Sequence, residues 1–506
     1  MRRLSLLLAA TLLTGCMVGP DYKRPPAAGI TPAFREAPPG WAAAQPQDAA
    51  PKGPWWTRFH DPLLDTLESR VVVNNQTLKQ YEASFREAQA IVDEARSQLF
   101  PTATGTTSTT RTSRGTGSSG GFQSAGLGTS PAGAAAPSGI SGSARSSTFT
   151  TYTLEGAADW TPDVWGRIRR QIQSDVAAAQ VSAADLANAT LSAQATLAID
   201  YFELHYEDAL GALLTDTVKA YQDALRITQN QYAAGVTSEA DVAAAQTQLL
   251  TAQAQLVSVG VLRAQYEHAI AVLTGAAPAE LTVPAGKLAT DIPATPGVVP
   301  SVLLQRRPDI AAAERAMEEQ NALIGVQVAA YFPDISLSSL YGYTGDPLGS
   351  LIKAANRVWS LGASASETLF EGGLRNSAVA AAEAGYDATV ATYRQTVLAA
   401  FQQVEDELSS LRILEQQAAA EDLAVRAAQR SVQIALNTYL AGTAPYTNVI
   451  TQQTALLGNQ ETALAVQEQR LVASVILIEA LGGGFDAVSD LPTKNDLQKG
   501  LPFLKY

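Results

Sequence analysis

The chain has one cysteine, three histidines and three methionines in 506 residues, and only 16% of it is charged. A lone cysteine excludes an internal disulfide, and His60, His205 and His268 stand too far apart for a usual zinc-ligand spacing. No nucleophile elbow, Walker loop or His-Glu-x-x-His segment occurs, and Gly482-Gly483-Gly484 follows a helical stretch and reads as its stop rather than a phosphate cradle. The sequence therefore points away from an enzyme and implies no metal or other cofactor. Basic residues are also in short supply. Thirty-five Lys and Arg against 48 Asp and Glu give a net charge of −13 with no basic stripe, which argues against nucleic acid as a partner. No segment reaches 18 consecutive apolar residues, so no transmembrane helix is expected.

Proline is missing from three long stretches, Pro162 to Pro278, Pro347 to Pro445 and Pro445 to Pro492, each favourable to helix. Between Arg167 and Tyr232 one helix would run roughly 100 Å at 1.5 Å per residue, too long for a compact domain. Apolar seams with 3-4 spacing support coiled coils: Val397, Phe401, Val404, Leu408, Leu411, and Val242, Ala245, Leu249, Ala252, Leu256, Val259. The two halves repeat. A shift of 207 residues gives 14 identities over positions 227 to 275, among them Tyr232 with Tyr439, Gly235 with Gly442 and Val242 with Val449. Each half then holds a long helix, a glycine turn and a second helix returning antiparallel.

What begins the chain sets its compartment. Arg2 and Arg3 precede the apolar run Leu4 to Leu13, and Leu13-Thr14-Gly15-Cys16 closes it with small residues, the pattern of a removed signal segment. The last four residues resemble a bacterial lipobox, which implies cleavage before Cys16 and a covalent lipid on that cysteine. Met17 follows where an Asp would, by analogy, favour retention at the inner membrane, so the resemblance points to the outer membrane.

Phe100-Pro101 and Phe332-Pro333 end helix in each half and open stretches of alternating polarity. Tyr152, Leu154, Gly156, Ala158 and Trp160 alternate with polar neighbours, as do Ile335, Leu337, Ser339, Tyr341 and Tyr343. Such strands carry one apolar face. Residues 111 to 147 contain nine Gly, ten Ser and no acid, too little apolar surface for a core, and read as a long loop inside a β-hairpin. Four strands cannot close a membrane barrel, since open edges would leave backbone groups unsatisfied in lipid, so copies of the chain must share one barrel.

The sequence resembles the outer-membrane factor family, the TolC-like channels, in the lipidated NodT-type branch attached to resistance-nodulation-division (RND) pumps. Trp55-Trp56, Phe59, Asp61-Pro62, Leu64, Leu67 and Asn75 resemble the opening signature of that family. Leu303-Leu304-Gln305-Arg306-Arg307-Pro308-Asp309-Ile310, followed by Ala312, Ala313 and Glu314, resembles its internal motif. The resemblance implies an α+β membrane protein: a trimeric 12-stranded β-barrel, four strands per chain, continued by a long α-helical coiled-coil barrel with two internal repeats per chain. It implies an outer-membrane exit channel of a tripartite efflux pump. The partners would be two further copies as a homotrimer, a periplasmic adaptor, an inner-membrane RND-type transporter and outer-membrane lipid. A type I secretion conduit and a non-conducting coiled-coil envelope lipoprotein remain open as other readings.

On this reading residues 1–15 are the signal peptide and 16–60 the lipidated extension. Residues 61–99 are first-repeat helices, 100–162 a hairpin with the Gly/Ser loop, and 163–277 the first helical hairpin. Residues 278–308 are a connecting segment of an intermediate domain, 309–331 a helix, 332–371 the second hairpin, 372–482 the second helical hairpin and 483–506 a tail. The tips Tyr232 to Asp241 and Tyr439 to Thr451 would form the periplasmic gate. Tyr232, Gly235, Asp241, Tyr439, Gly442, Asn448 and Thr451 are its candidate residues, with Asp241 and Tyr439 where relatives link neighbouring coiled coils. Ala444 stands where some relatives carry a gating arginine, and Asn448 and Thr451 where relatives often carry acids, which argues against an anionic ring from the second tip. Arg306, Arg307, Pro308 and Asp309 also make a good helix start, with Pro in the first turn and an acid at the positive end.

Overall fold

The computed structural model describes residues 17–27, 34–35, 54–114, 147–293, 306–483, 491–493 and 496–497. The signal segment, Cys16, most of the extension, the middle of the Gly/Ser loop, Leu303 to Gln305 and most of the tail lie outside the described residues. The elements in chain order are α1 (Pro62–Asn74), α2 (Gln76–Ser97), β1 (Thr102–Arg114), β2 (Ser147–Trp160), α3 (Arg167–Ala233) and α4 (Glu239–Leu273). They continue with α5 (Pro308–Ala329), β3 (Asp334–Gly345), β4 (Arg357–Ser366), α6 (Leu374–Leu440) and α7 (Tyr446–Ala480). No helix among the described residues is long and apolar enough to cross a membrane. The chain divides into two compact units, residues 1–19, 94–170 and 326–377 in one, and 20–93, 171–325 and 378–506 in the other.

The first unit is built on one antiparallel sheet in the order β1-β2-β3-β4. Thr-rich β1 pairs along its whole length with β2, from Thr102 opposite Asp159 to Arg114 opposite Ser147. It thereby reaches into the stretch whose composition reads as loop, because β-branched Thr and a partner strand outweigh the local Ser and Gly. Leu154 opposes Tyr343 and Gly156 opposes Tyr341, while Tyr341 opposes Trp359. Opposed residues share a face, so one side of the sheet collects Leu154, Leu337, Tyr341, Trp359 and Leu361, all exposed in the single chain. Tryptophans fix the strand ends: Trp160 Nε1 donates to the Leu99 carbonyl at 3.0 Å, and Trp165 Nε1 to that of Pro333 at 2.9 Å. Trp165 also stacks on Phe332 with centroids 4.8 Å apart.

The second unit is helical. α3 and α6 each have 67 residues and α4 and α7 each have 35. Every bound is offset by 207 residues, Arg167 to Leu374, Ala233 to Leu440, Glu239 to Tyr446 and Leu273 to Ala480. The seams face inward: Ala245, Leu249 and Ala252 on α4 and Val397, Val404 and Leu408 on α6 are buried. Alanine there permits close helix approach.

The aromatic opening signature supplies the main core of this unit. Trp55, Phe59, Leu64 and Leu67 pack with Tyr201, Phe202 and Leu204 of α3 and with Leu471 and Val475 of α7. Full burial of a leucine such as Leu64 contributes about 1.5–3 kcal/mol. Asp61 starts α1 as its N-cap, accepting from the amides of Leu63 at 2.9 Å and Leu64 at 3.3 Å with Pro62 in the first turn. Its other oxygen accepts from the Tyr201 hydroxyl at 2.6 Å, so one side chain both caps a helix and docks it.

Candidate functional site: the helical tips and their supports

The first tip turns at Gly235, whose φ of 73° lies in the left-handed region that L side chains avoid, and the second turns at Gly442 with φ 72°. Beyond that shared turn the two differ. α4 opens with a capping box in which Ser238 Oγ accepts from the Asp241 amide at 3.3 Å and Asp241 Oδ2 accepts from the Ser238 amide at 3.2 Å. Asp241 also accepts from the hydroxyls of Thr237 at 2.7 Å and Ser238 at 2.8 Å. The Thr237 bond first, then those of Ser238, hold its carboxyl below the usual range.

The second tip has Pro445 at the equivalent place and no side-chain cap. It is held by packing. Tyr439 and Tyr446 are buried with ring centroids 5.0 Å apart, in a cluster with Ala224 of α3, Ala245 of α4, Ala435 of α6 and Val449 of α7. Tyr446 lies beside Thr228 of α3, and burial pushes its phenol up to about 12. Tyr439 Oη is buried with no partner among the described residues. The described chain brings no bond between Asp241 and Tyr439; Asp241 is engaged in its own cap. Tyr232 is 47% exposed. Asn448 and Thr451 are exposed, and the Thr451 hydroxyl bonds back to the Thr447 carbonyl at 2.9 Å.

At the other end of the returning helices lies the Arg-Arg-Pro-Asp motif. α5 begins at Pro308, and Arg307 makes a two-bond pair with Asp309, Nε to Oδ1 at 3.0 Å and Nη2 to Oδ2 at 2.7 Å. Arg307 Nη1 reaches on to Gln403 of α6 at 3.0 Å and to the Ala480 carbonyl ending α7 at 2.9 Å. The first half has its counterpart in Asn75, which donates to the Leu273 carbonyl ending α4 at 2.9 Å and accepts from the amide of Thr77 at 2.9 Å. Leu273 and Ala480 are related by the same 207-residue offset. The motif thus works here as a clamp on the last turn of a hairpin.

Two features were not legible in the sequence. Asp208 of α3 gathers Arg263 Nε at 2.7 Å, the Gly286 amide at 3.0 Å and His205 Nδ1 at 3.2 Å, while Glu267 accepts from the Val283 amide at 2.8 Å, strapping the segment after α4 onto the helices. An acidic cluster also joins three helices. Glu203 of α3 lies beside Glu468 of α7 and Tyr266 of α4. Burial, reinforced by Glu203, raises Glu468 to about 7 and Asp200 to about 6. Burial likewise raises Glu207, one of whose oxygens has no partner among the described residues. Side chains as far apart as Asp208 and Arg263, 55 residues, leave no local pattern to read. Among the described residues no group of three or more His, Cys, Asp or Glu side chains is placed to hold a metal ion.

Two long helical hairpins with unlike tips, and a sheet with one apolar face, agree with known proteins along almost the whole chain. The profile of the outer membrane efflux protein family matches residues 67–276 and 299–483. The chain belongs to that family. It is 28% identical over 487 residues to the toluene efflux pump outer membrane protein TtgC of Pseudomonas putida, with 95% of each chain covered. It is also 28% identical over 491 residues to outer membrane protein OprJ of Pseudomonas aeruginosa, covering 95% of this chain and 96% of that one. Among solved structures the outer-membrane channel OprN superposes with a TM-score of 0.80 at 27% identity, over 92% of this chain and 99% of OprN. In this outer membrane efflux protein the family match skips residues 277–298, part of the strap onto Asp208 and Glu267.

Proposed function

We propose that the protein is the outer-membrane exit duct of a tripartite efflux pump: three copies close a twelve-stranded barrel, and their helices continue as a coiled-coil tube through the periplasm. The observation that carries this reading is the pair of open edges, β1 and β4, on a four-stranded sheet with an apolar face. In lipid each unpaired backbone group costs several kcal/mol, and pairing β4 of one copy with β1 of the next removes every edge. A passive conduit needs its energy from elsewhere, which implies an inner-membrane RND-type transporter and a periplasmic adaptor as partners. The relatives named as efflux pump outer membrane proteins support that role.

The lipid anchor at Cys16 fits the same arrangement. Met17 to Gly19 are tied to the sheet-bearing unit: the Val18 amide donates to the Trp165 carbonyl at 3.1 Å, and Arg170 donates to the carbonyls of Val18 at 2.9 Å and Gly19 at 3.0 Å.

At the tips, Tyr439 and Asp241 hold the resting closed state, Asp241 by capping α4 and Tyr439 by packing against the helices around it. Planar-bilayer conductance of the purified native oligomer, with its mass measured in parallel, tests the reading. A trimer with small steps that enlarge in Asp241→Ala supports it. A monomer, or a trimer silent in wild type and in Asp241→Ala alike, overturns it.

A further inference from the structure

The apolar face of the sheet carries only two charged residues in the described strands, Arg111 and Arg357. Strand pairing puts them there: Thr109 opposes Tyr152, and Arg111 lies two residues on, while Arg357 opposes Tyr343, which opposes Leu154. The strand acids Glu155, Asp159 and Asp334 all fall on the other face, by the same alternation. Both arginines sit toward the hairpin end of the sheet, Arg111 close to the end of β1 and Arg357 as the first residue of β4. The four connections to helices leave from the opposite end, at Thr102, Trp160, Asp334 and Ser366. Both side chains are exposed, and neither makes an ion pair among the described residues. The turn between β3 and β4 is charge-balanced by Asp346 and Lys353, so it does not neutralise them.

Arg357 also closes a hollow of about 560 Å³ on this face, floored by the small Gly156 and Ala158 and walled by Tyr341, Trp359 and Leu361. An arginine on a lipid-facing strand is costly at the bilayer midplane and is tolerated at headgroup depth. Arginine pairs with phosphate oxygens in a two-bond geometry, and aromatic rings flanking it are typical of the interface.

We propose that this face binds a net-anionic, phosphate-bearing lipid of the outer leaflet, with its phosphate on Arg357, a second contact at Arg111, and an acyl chain in the hollow over Gly156 and Ala158. The inference rests on the reading of the strands as a membrane barrel with the helices on the periplasmic side. The sheet binds the headgroup end of the lipid through fixed charge and the chain end through the gap that small residues leave.

The test uses the full-length oligomer in phosphatidylcholine vesicles containing a minor fraction of diphosphorylated lipid A, then native mass spectrometry of the lipid that stays bound. Wild type should retain lipid A over phosphatidylcholine. Each of Arg357→Gln and Arg111→Gln should lower that retention about fivefold, as expected for one cation at a membrane surface. Arg357→Lys should keep most of the preference, and inorganic phosphate added alone should not displace the lipid. A double Gln variant that inserts as the same oligomer and retains lipid A like wild type overturns the proposal and leaves the barrel intact. Displacement of the lipid by inorganic phosphate alone overturns it in favour of a free-phosphate site. Failure of wild type to insert into pure phosphatidylcholine overturns the barrel reading, and this proposal with it.

Discussion

The two helical tips have the same turn, the same helix lengths on either side and opposite ways of holding together. The first closes on itself, with Ser238, Thr237 and Asp241 meeting within five residues. The second has no polar cap and is held by Tyr439 and Tyr446 against small residues on two other helices, α3 and α4. Two copies of one supersecondary plan can thus place their stability in local hydrogen bonds or in packing, and each choice sets what disturbs them. A capped tip can fray without moving its neighbours, whereas a packed tip moves only when four helices move.

The comparison can be broken most directly at Tyr446. Tyr446→Ala should cost about 3 kcal/mol, the range for losing a large aromatic from a core, and speed amide exchange at 435–450 and around Thr228. If amides at 239–243 accelerate equally, the first tip is not independent. The clamps at the far ends come next. Arg307→Met should cost about 2 kcal/mol through its charged hydrogen bonds, and Asn75→Ala about 1 kcal/mol through a neutral cap. Thermal denaturation should rank them in that order; the reverse order would remove the asymmetry between the halves. Ser238→Ala should cost about 1 kcal/mol and loosen only the first turn of α4.

Acid should separate the tips without mutation. The Asp241 carboxyl has a lowered pKa in the fold, so its contribution is present above about 4, its ordinary unfolded value, and is lost as pH falls through the lower folded value. Exchange at 238–243 should rise there while the tyrosine tip holds. The acidic cluster runs the other way. Glu468 at about 7 and Asp200 at about 6 are raised, so their stabilising effect is complete at low pH and is lost as pH climbs through those values. Melting temperature should therefore drop between pH 5 and pH 8, and Glu468→Gln should flatten that slope; an unchanged slope would assign the effect to other groups.

How much of this was legible beforehand follows from range. Gly235 and Gly442 are visible because a left-handed turn after a long helix selects glycine at one position. The strand face is visible because alternation has period two, and β1 was underestimated because Ser and Thr alternate no apolar signal. Pro308 and Asp309 read as a helix start, and so they are, but the reach of Arg307 to Gln403 and Ala480 spans 96 and 173 residues and has no sequence signature. Asp241 and Tyr439 divide in the same way: the capping role of Asp241 lies within four residues, while the burial of the Tyr439 hydroxyl, without a partner among the described residues, is defined by helices from both halves.

By itself, the sequence determined the long proline-free helices, the 207-residue repetition, the amphipathic strands β2 and β3 and the family, because each is written in short-range periodicity or in contiguous motifs. The tertiary structure alone decided which carboxyls lose their solvent, which tyrosine hydroxyls lack a partner among the described residues, and which arginines share the apolar face. Those properties belong to burial and register, and burial and register exist only once segments far apart in the chain have been brought to one place.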